Sequence, residues 1–282
     1  MLNRKKWQDY MLILNIKDTL LFLILALLSF TFAYVALEDL VSALFALIIP
    51  TVFSLHAKQS SKFLLKIHNG VLLKYEDVPW LFGVVDFLSA KAGLESSPEL
   101  YILNTKVPNA FTTETKEGPI LAISAGLIAR MDKREIKGVI AHELSHIIHK
   151  DATYLKIVQG LYAFVAFLST LVHISIIFFL PFYLMGSFNL STSFLLAILI
   201  VPSILRLVIL ALMRNREYAA DLMAVNLTED PEGLALALSK LNSMNHWVVG
   251  LMFPYNFGRK NSLLDTHPLP KQRIQRLMAL SH

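Results

Sequence analysis

From Ile157 to Leu205 the chain runs for 49 residues without Asp, Glu, Lys or Arg, and no other feature restricts its fold as much. A soluble core seldom needs an uncharged run of that length. At 1.5 Å per helical residue it is enough for two crossings of a roughly 30 Å hydrocarbon layer, if a short loop near Pro181 to Asn189 turns the chain. Upstream, Thr19 to Leu37 is uncharged, Glu38 and Asp39 interrupt, and Leu40 to Ala57 is uncharged again. These two stretches read as a helical hairpin with an acidic turn. Four spans are therefore expected, two of them at about 19–37 and 40–57, and two within 157–205.

Basic residues set the orientation. Arg4, Lys5, Lys6 and Lys17 precede the first span, thirteen more lie from Lys58 to Lys156, and the two outer loops have none. Because Lys and Arg accumulate on the cytoplasmic side, both termini and the central segment are expected there. The net charge of +5 then fits basic loops beside anionic headgroups, not nucleic acid. With no cysteine in the chain, disulfides and thiolate metal sites are excluded, so any metal must be held by histidines and carboxylates.

The polar remainder divides into residues 58–156 and 206–282, the first hairpin with its N-terminal tail being 1–57 and the second hairpin 157–205. Tyr75 to Gly93 has apolar residues at helical spacing and ends on a glycine suited to a C-cap. Glu99–Leu103, Ala110–Thr113 and Ile120–Ile123 are short, β-prone and separated by Pro, Asn and Gly, which predicts a small antiparallel sheet of three strands. Asp132 and Glu135 have capping-box spacing before an apolar face of Ile136, Val139, Ile140, Leu144 and Ile147, so a helix should run from Lys133 to about His149. From Arg206 to Asp221 the fourth span meets no breaker, so its cytoplasmic end should project into the soluble body. Asp230 and Pro231 should open a further helix, and Gln272 to Leu280 should form a short amphipathic one.

On the capped helix stands His142-Glu143-Leu144-Ser145-His146. Residues four apart share a helix face, so both imidazoles can reach one metal with Glu143 beside it as general base. A catalytic metal takes a third protein ligand, and Glu217 supplies a candidate. Asp221, one turn further, can accept the N–H of a ligating histidine and fix its tautomer. Water acidified by the metal would then attack a scissile carbonyl, with Glu143 taking its proton and returning it to the leaving group. Zinc, one ion per chain, suits this donor set, which also tolerates manganese or cobalt.

These residues, together with Val107-Pro108-Asn109-Ala110-Phe111, Thr266-His267-Pro268 and Arg273, resemble the HtpX family of membrane zinc metallopeptidases, relatives of the CAAX prenyl proteases. The resemblance extends over nearly the whole chain, including the order of two spans before the motif and two before Glu217. It implies an α+β membrane protein: four transmembrane helices and a zincin-like cytoplasmic metallopeptidase domain. It also implies endoproteolysis of polypeptides, with membrane-protein quality control as the family's association. Residue by residue it makes His142, His146 and Glu217 ligands, Glu143 the base and Asp221 the acceptor behind a ligand. Asn109, Ala110 and Phe111 become a strand that pairs with substrate, His267 a donor to the oxyanion, and Arg273 its buttress. The chain departs from the family after that strand, where Glu114 stands near a usual glycine and would resist the φ values a glycine allows.

Three other readings compete. A site-2-type protease would need its metal helix inside a span, yet Lys133, Arg134 and Lys137 flank this one. An inactive zinc-bearing scaffold would have no need of Glu143. A transporter should carry polar pairs within its spans, and these offer little beyond His173 and Arg206.

Overall fold

The computed structural model describes residues 4–56, 65, 70–115, 118–186, 192–252 and 268–280. In chain order these form α1 (Arg4–Leu37), α2 (Leu40–His56), β1 (Gly70–Leu72), α3 (Pro79–Ala92), β2 (Glu99–Leu103), β3 (Ala110–Glu114), β4 (Pro119–Ser124), α4 (Ala125–Ile128), α5 (Lys133–Ile148), α6 (Asp151–Leu184), α7 (Thr192–Thr228), α8 (Pro231–Met252) and α9 (Pro270–Met278). The chain divides into two units, one from Met1–Asn15, Gln59–Ala152 and Arg214–His282, the other from Ile16–Lys58 and Thr153–Met213.

In the first unit the local signals act as their chemistry requires. The Asp132 side chain accepts from the Glu135 N–H, and the Glu135 carboxylate accepts from the Asp132 N–H, so α5 begins on a complete capping box. Gly93 ends α3 in the left-handed conformation at φ 73°. Asp230 accepts from the Gly233 N–H at 3.0 Å and opens α8, which runs on to Met252. The apolar face of α5, with Ile136, Val139, Ile140 and Leu144, meets Leu81, Val85 and Leu88 of α3 and Leu234, Ala235 and Leu238 of α8 in one core. Burying each large side chain contributes about 1.5–3 kcal/mol. At Gly138 the helices come so close that a Cβ would stand 3.0 Å from the Leu234 backbone.

The sheet differs from the expectation of three antiparallel strands. It has four strands in the order β1-β2-β4-β3, and β2 runs parallel to β4, with Glu99 opposite Ile120 and Leu103 opposite Ser124. Side-chain alternation is the same for either strand direction, so it could not decide the pairing. The continuous apolar run of β4, however, carried a usable signal. Ile120, Leu121, Ala122, Ile123 and Ser124 are all buried, the mark of a central strand covered on both faces. The chain between β2 and β3 crosses β4's end against Gly126, where a Cβ would lie 2.2 Å from the Lys106 carbonyl oxygen. That crossing lets β3 take the edge.

The turn after β3 removes the difficulty expected at Glu114. Glu114 stays within the strand opposite Pro119, and the left-handed backbone falls on Gly118 at φ 138°. Thr115 closes the turn by donating its N–H to the Gly118 carbonyl at 2.9 Å.

In the second unit Leu25, Phe32, Val158, Leu161, Val165, Leu205 and Leu212 make a separate core. Leu27, Phe167, Ile177 and Phe178 point outward and stay exposed, an apolar exterior that water would not tolerate over this area. Among the described residues two helical stretches, Lys5–Val35 and Asp151–Phe178, are long and apolar enough to cross a membrane. Leu40–Val52 is apolar but shorter. Helix α6 continues through Pro181 to Leu184. The rest of the expected turn, residues 187–191, lies outside the described residues.

Candidate metal site

Helix α5 presents His142 and His146 on one face, their ring centroids 4.9 Å apart and the rings edge to face. Glu217 on α7 reaches both. Its Oε2 is 3.6 Å from His142 Nε2 and its Oε1 is 4.0 Å from His146 Nε2. One donor atom from each of the three residues lies within 4.8 Å of the others. The set fits a divalent cation by its chemistry, since two imidazoles and a carboxylate with a fourth direction left open are a hydrolytic metal's ligands. Glu143 sits on the same helix between the two histidines.

Behind His142 stands Asp221, whose Oδ1 is 3.1 Å from Nδ1. Arg273 on α9 donates to both Asp221 oxygens, at 2.8 and 2.6 Å, and also approaches Glu217 Oε2 at 3.1 Å. Two contacts seat α9 for this: Tyr218 donates to Gln272 at 3.0 Å, and the Arg276 guanidinium lies 3.7 Å above the Tyr218 ring. The N-terminal turns of α1 join the same assembly. Trp7 donates its indole N–H to the Leu222 carbonyl at 2.8 Å, Lys6 donates to the Ala279 carbonyl at the end of α9, and Asn215 donates to the Leu14 carbonyl at 2.8 Å.

Charges follow from this packing. Burial opposes a proton on His142, but hydrogen bonding to Asp221 and then Glu217 outweighs it, and the imidazole is pushed up to about 9. Burial would raise Asp221; the Arg273 guanidinium reverses that and holds the carboxyl below its ordinary value. Arg273 is itself held above its usual range by Asp221 and Glu217 in spite of its burial. Glu143 is raised, chiefly by burial, against the pull of the two histidines. The site therefore favours positive charge beside His142 and leaves Glu143 more basic than a surface carboxylate.

Other expected residues are distributed as follows. Asn109 is exposed just before β3; it donates its N–H to Ser124 Oγ at 2.8 Å and accepts from the Ser124 N–H at 2.9 Å. Ala110 and Phe111 pair with Ile123 and Ala122, which leaves the other side of β3 as a sheet edge. Thr112 ties that edge to α5 by donating to the Glu143 carbonyl at 3.3 Å. His267 lies outside the described residues. His173 is within 2.5 Å of the Ser169 carbonyl on its own helix, away from this cluster in sequence and in unit.

Sequence reasoning missed Asp151 and Arg216. Asp151 Oδ2 lies 2.6 Å from His146 Nδ1, and Arg216 donates from Nε to Asp151 Oδ1 at 2.6 Å. A helical period cannot find this pair, because α5 ends at Ile148 and a left-handed Lys150, at φ 53°, separates it from Asp151.

Residues 77–281 match peptidase family M48. A protease HtpX homolog of Aquifex aeolicus is 32% identical over 244 residues, covering 79% of this chain and 78% of that one. Another from Acidiphilium cryptum is 35% identical over 219 residues, 71% and 73% of the two chains, and one from Methanocaldococcus jannaschii is 31% identical over 264 residues, 86% and 89%. Among solved structures, the crystal structure of S. mikatae Ste24p is a distant likeness, at 16% identity and a TM-score of 0.47 over 95% of this chain and 66% of that one. The chain thus belongs to peptidase family M48, among the HtpX proteases, and is a membrane metalloprotease.

Proposed function

We propose that the chain is a zinc endopeptidase that hydrolyses misfolded or damaged membrane proteins at the cytoplasmic face of a bacterial inner membrane, held there by four spans. The observation that carries the reading is the meeting of His142, His146 and Glu217 within 4.8 Å, with Glu143 on the same helix. Zinc, when bound, would supply Lewis-acid chemistry that polarises a carbonyl and lowers the pKa of water towards about 7.

The chain's own residues do the rest. His142, His146 and Glu217 hold the ion, and Asp221 keeps the His142 proton on Nδ1. Glu143, made more basic by burial, takes the proton of the attacking water and hands it to the leaving amine. The edge of β3 from Asn109 to Phe111 pairs with an extended substrate through main-chain hydrogen bonds, which tolerates varied side chains. His267 donates to the oxyanion and Arg273 braces the site. Residues 1–57 and 157–205 serve as the membrane hairpins, with 58–156 and 206–282 forming the peptidase body.

Purified protein in detergent should cut unfolded casein and stop when zinc is chelated. Glu143→Gln should keep its zinc and lose turnover by about 10²–10⁴-fold; full activity in that variant would overturn the mechanism. The absence of cysteine makes the topology directly measurable with introduced thiols. Asp39→Cys and Ser187→Cys should react with an impermeant thiol reagent in intact cells, and Lys74→Cys only after permeabilisation.

A further inference from the structure

We propose that Asp151 and Arg216 form a positioning pair that aims His146 at the metal and registers it to Glu217. This inference rests on the metallopeptidase reading above and adds to it two residues whose part lies behind the ligands.

Asp151 begins α6, and its side chain is only 6% exposed. With Oδ2 2.6 Å from His146 Nδ1, the carboxylate favours the tautomer that carries its proton on Nδ1. Nε2, which faces Glu217, is then the atom with a free lone pair. The carboxylate does not stand alone. Arg216 donates to its other oxygen through Nε at 2.6 Å and also through a terminal nitrogen. The same guanidinium donates to the His149 carbonyl at 3.2 Å. His149 is the C-cap of α5, where backbone carbonyls lack helical partners.

One guanidinium thus holds three things: the end of the helix that carries both histidines, the left-handed turn at Lys150, and the carboxylate that orients His146. Arg216 also precedes Glu217 on α7. Its grip on the α5–α6 junction therefore refers the position of His146 to the helix that brings the third ligand. A planar fork that bonds a carboxylate and a carbonyl together is work a lysine does poorly.

The test is zinc affinity, measured on the full chain in detergent by competition with a chromogenic chelator, alongside thermal melting of the zinc-free protein. Asp151→Ala should weaken zinc binding by about 10–100-fold. Arg216→Lys, which keeps the charge and loses the fork, should weaken it less. The double variant should bind no more weakly than Asp151→Ala alone, because Arg216 acts through Asp151. Melting of zinc-free Arg216→Lys close to the parent, together with weaker zinc binding, supports the proposal. Wild-type zinc affinity in Asp151→Ala and Arg216→Lys, whatever their melting temperatures, overturns it. Failure of the parent protein itself to bind zinc would instead overturn the metallopeptidase reading.

Discussion

The two histidines of the site are supported in opposite ways. His142 is backed by Asp221 and Arg273, which come from two other helices late in the chain, and this pair lies deep in the core with Arg273 facing two carboxylates. His146 is backed by Asp151, five residues further along, and by Arg216 at a more open position, where its side chain is 15% exposed. The first support depends on the whole unit being folded. The second combines a tight turn, which brings Asp151 to His146, with one guanidinium reaching over from α7. A support woven entirely from distant helices ties the ligand to global stability, while one that is half local can tune the ligand with less effect on the fold.

The largest test of that contrast is to strip each arginine. Arg273→Met should destabilise the zinc-free protein by about 3–5 kcal/mol, because it leaves Asp221 and Glu217 buried without their cation. Arg216→Met should cost clearly less, and equal losses in chemical or thermal unfolding would break the comparison. A second test uses pH. Since the His142 imidazole is raised to about 9, zinc must displace its proton at any lower pH. Affinity should therefore climb about tenfold per pH unit on going from pH 6 to 8 and level off near 9. A flat profile would deny the coupling of His142 to Asp221.

Gly138→Ala provides a control that acts on both supports together. Its Cβ would press on the Leu234 backbone at 3.0 Å, shift α5 as a body, and cost about 1–3 kcal/mol in melting experiments. The smallest effect belongs to Trp7→Phe, which deletes the hydrogen bond to the Leu222 carbonyl. A loss of about 1 kcal/mol is expected, together with slightly weaker zinc binding if α7 is displaced.

How far each feature could be read from the sequence follows the same division between regular and irregular backbone. The capping box at Asp132 and Glu135, the glycine at the end of α3, and the faces shared by His142 with His146 and by Glu217 with Asp221 are all periodic or cap signals within one helix. They were legible. Strand direction was not, because an alternating or apolar run looks alike in both senses, and the crossing that makes β2 parallel to β4 depends on Gly126 meeting Lys106. The three-residue β1 gave no pattern at all. Asp151 escaped because a left-handed residue at Lys150 breaks the period on which a helical reading relies. The packing of Trp7, Met11 and Leu14 against the first unit's core also escaped. Their segment reads as a basic leader to an apolar helix, and nothing local tells which later carbonyl an indole will meet.

That N-terminal packing has a consequence in time. Lys6 and Trp7 hold the Ala279 and Leu222 carbonyls, and Arg273 on the last helix holds Asp221. Residues made early must therefore wait for partners made 215 and 273 residues later before the site is braced. A half-made chain, already carrying the His142 and His146 motif beside its own nascent neighbours, lacks both Glu217 and the guanidinium that steadies it.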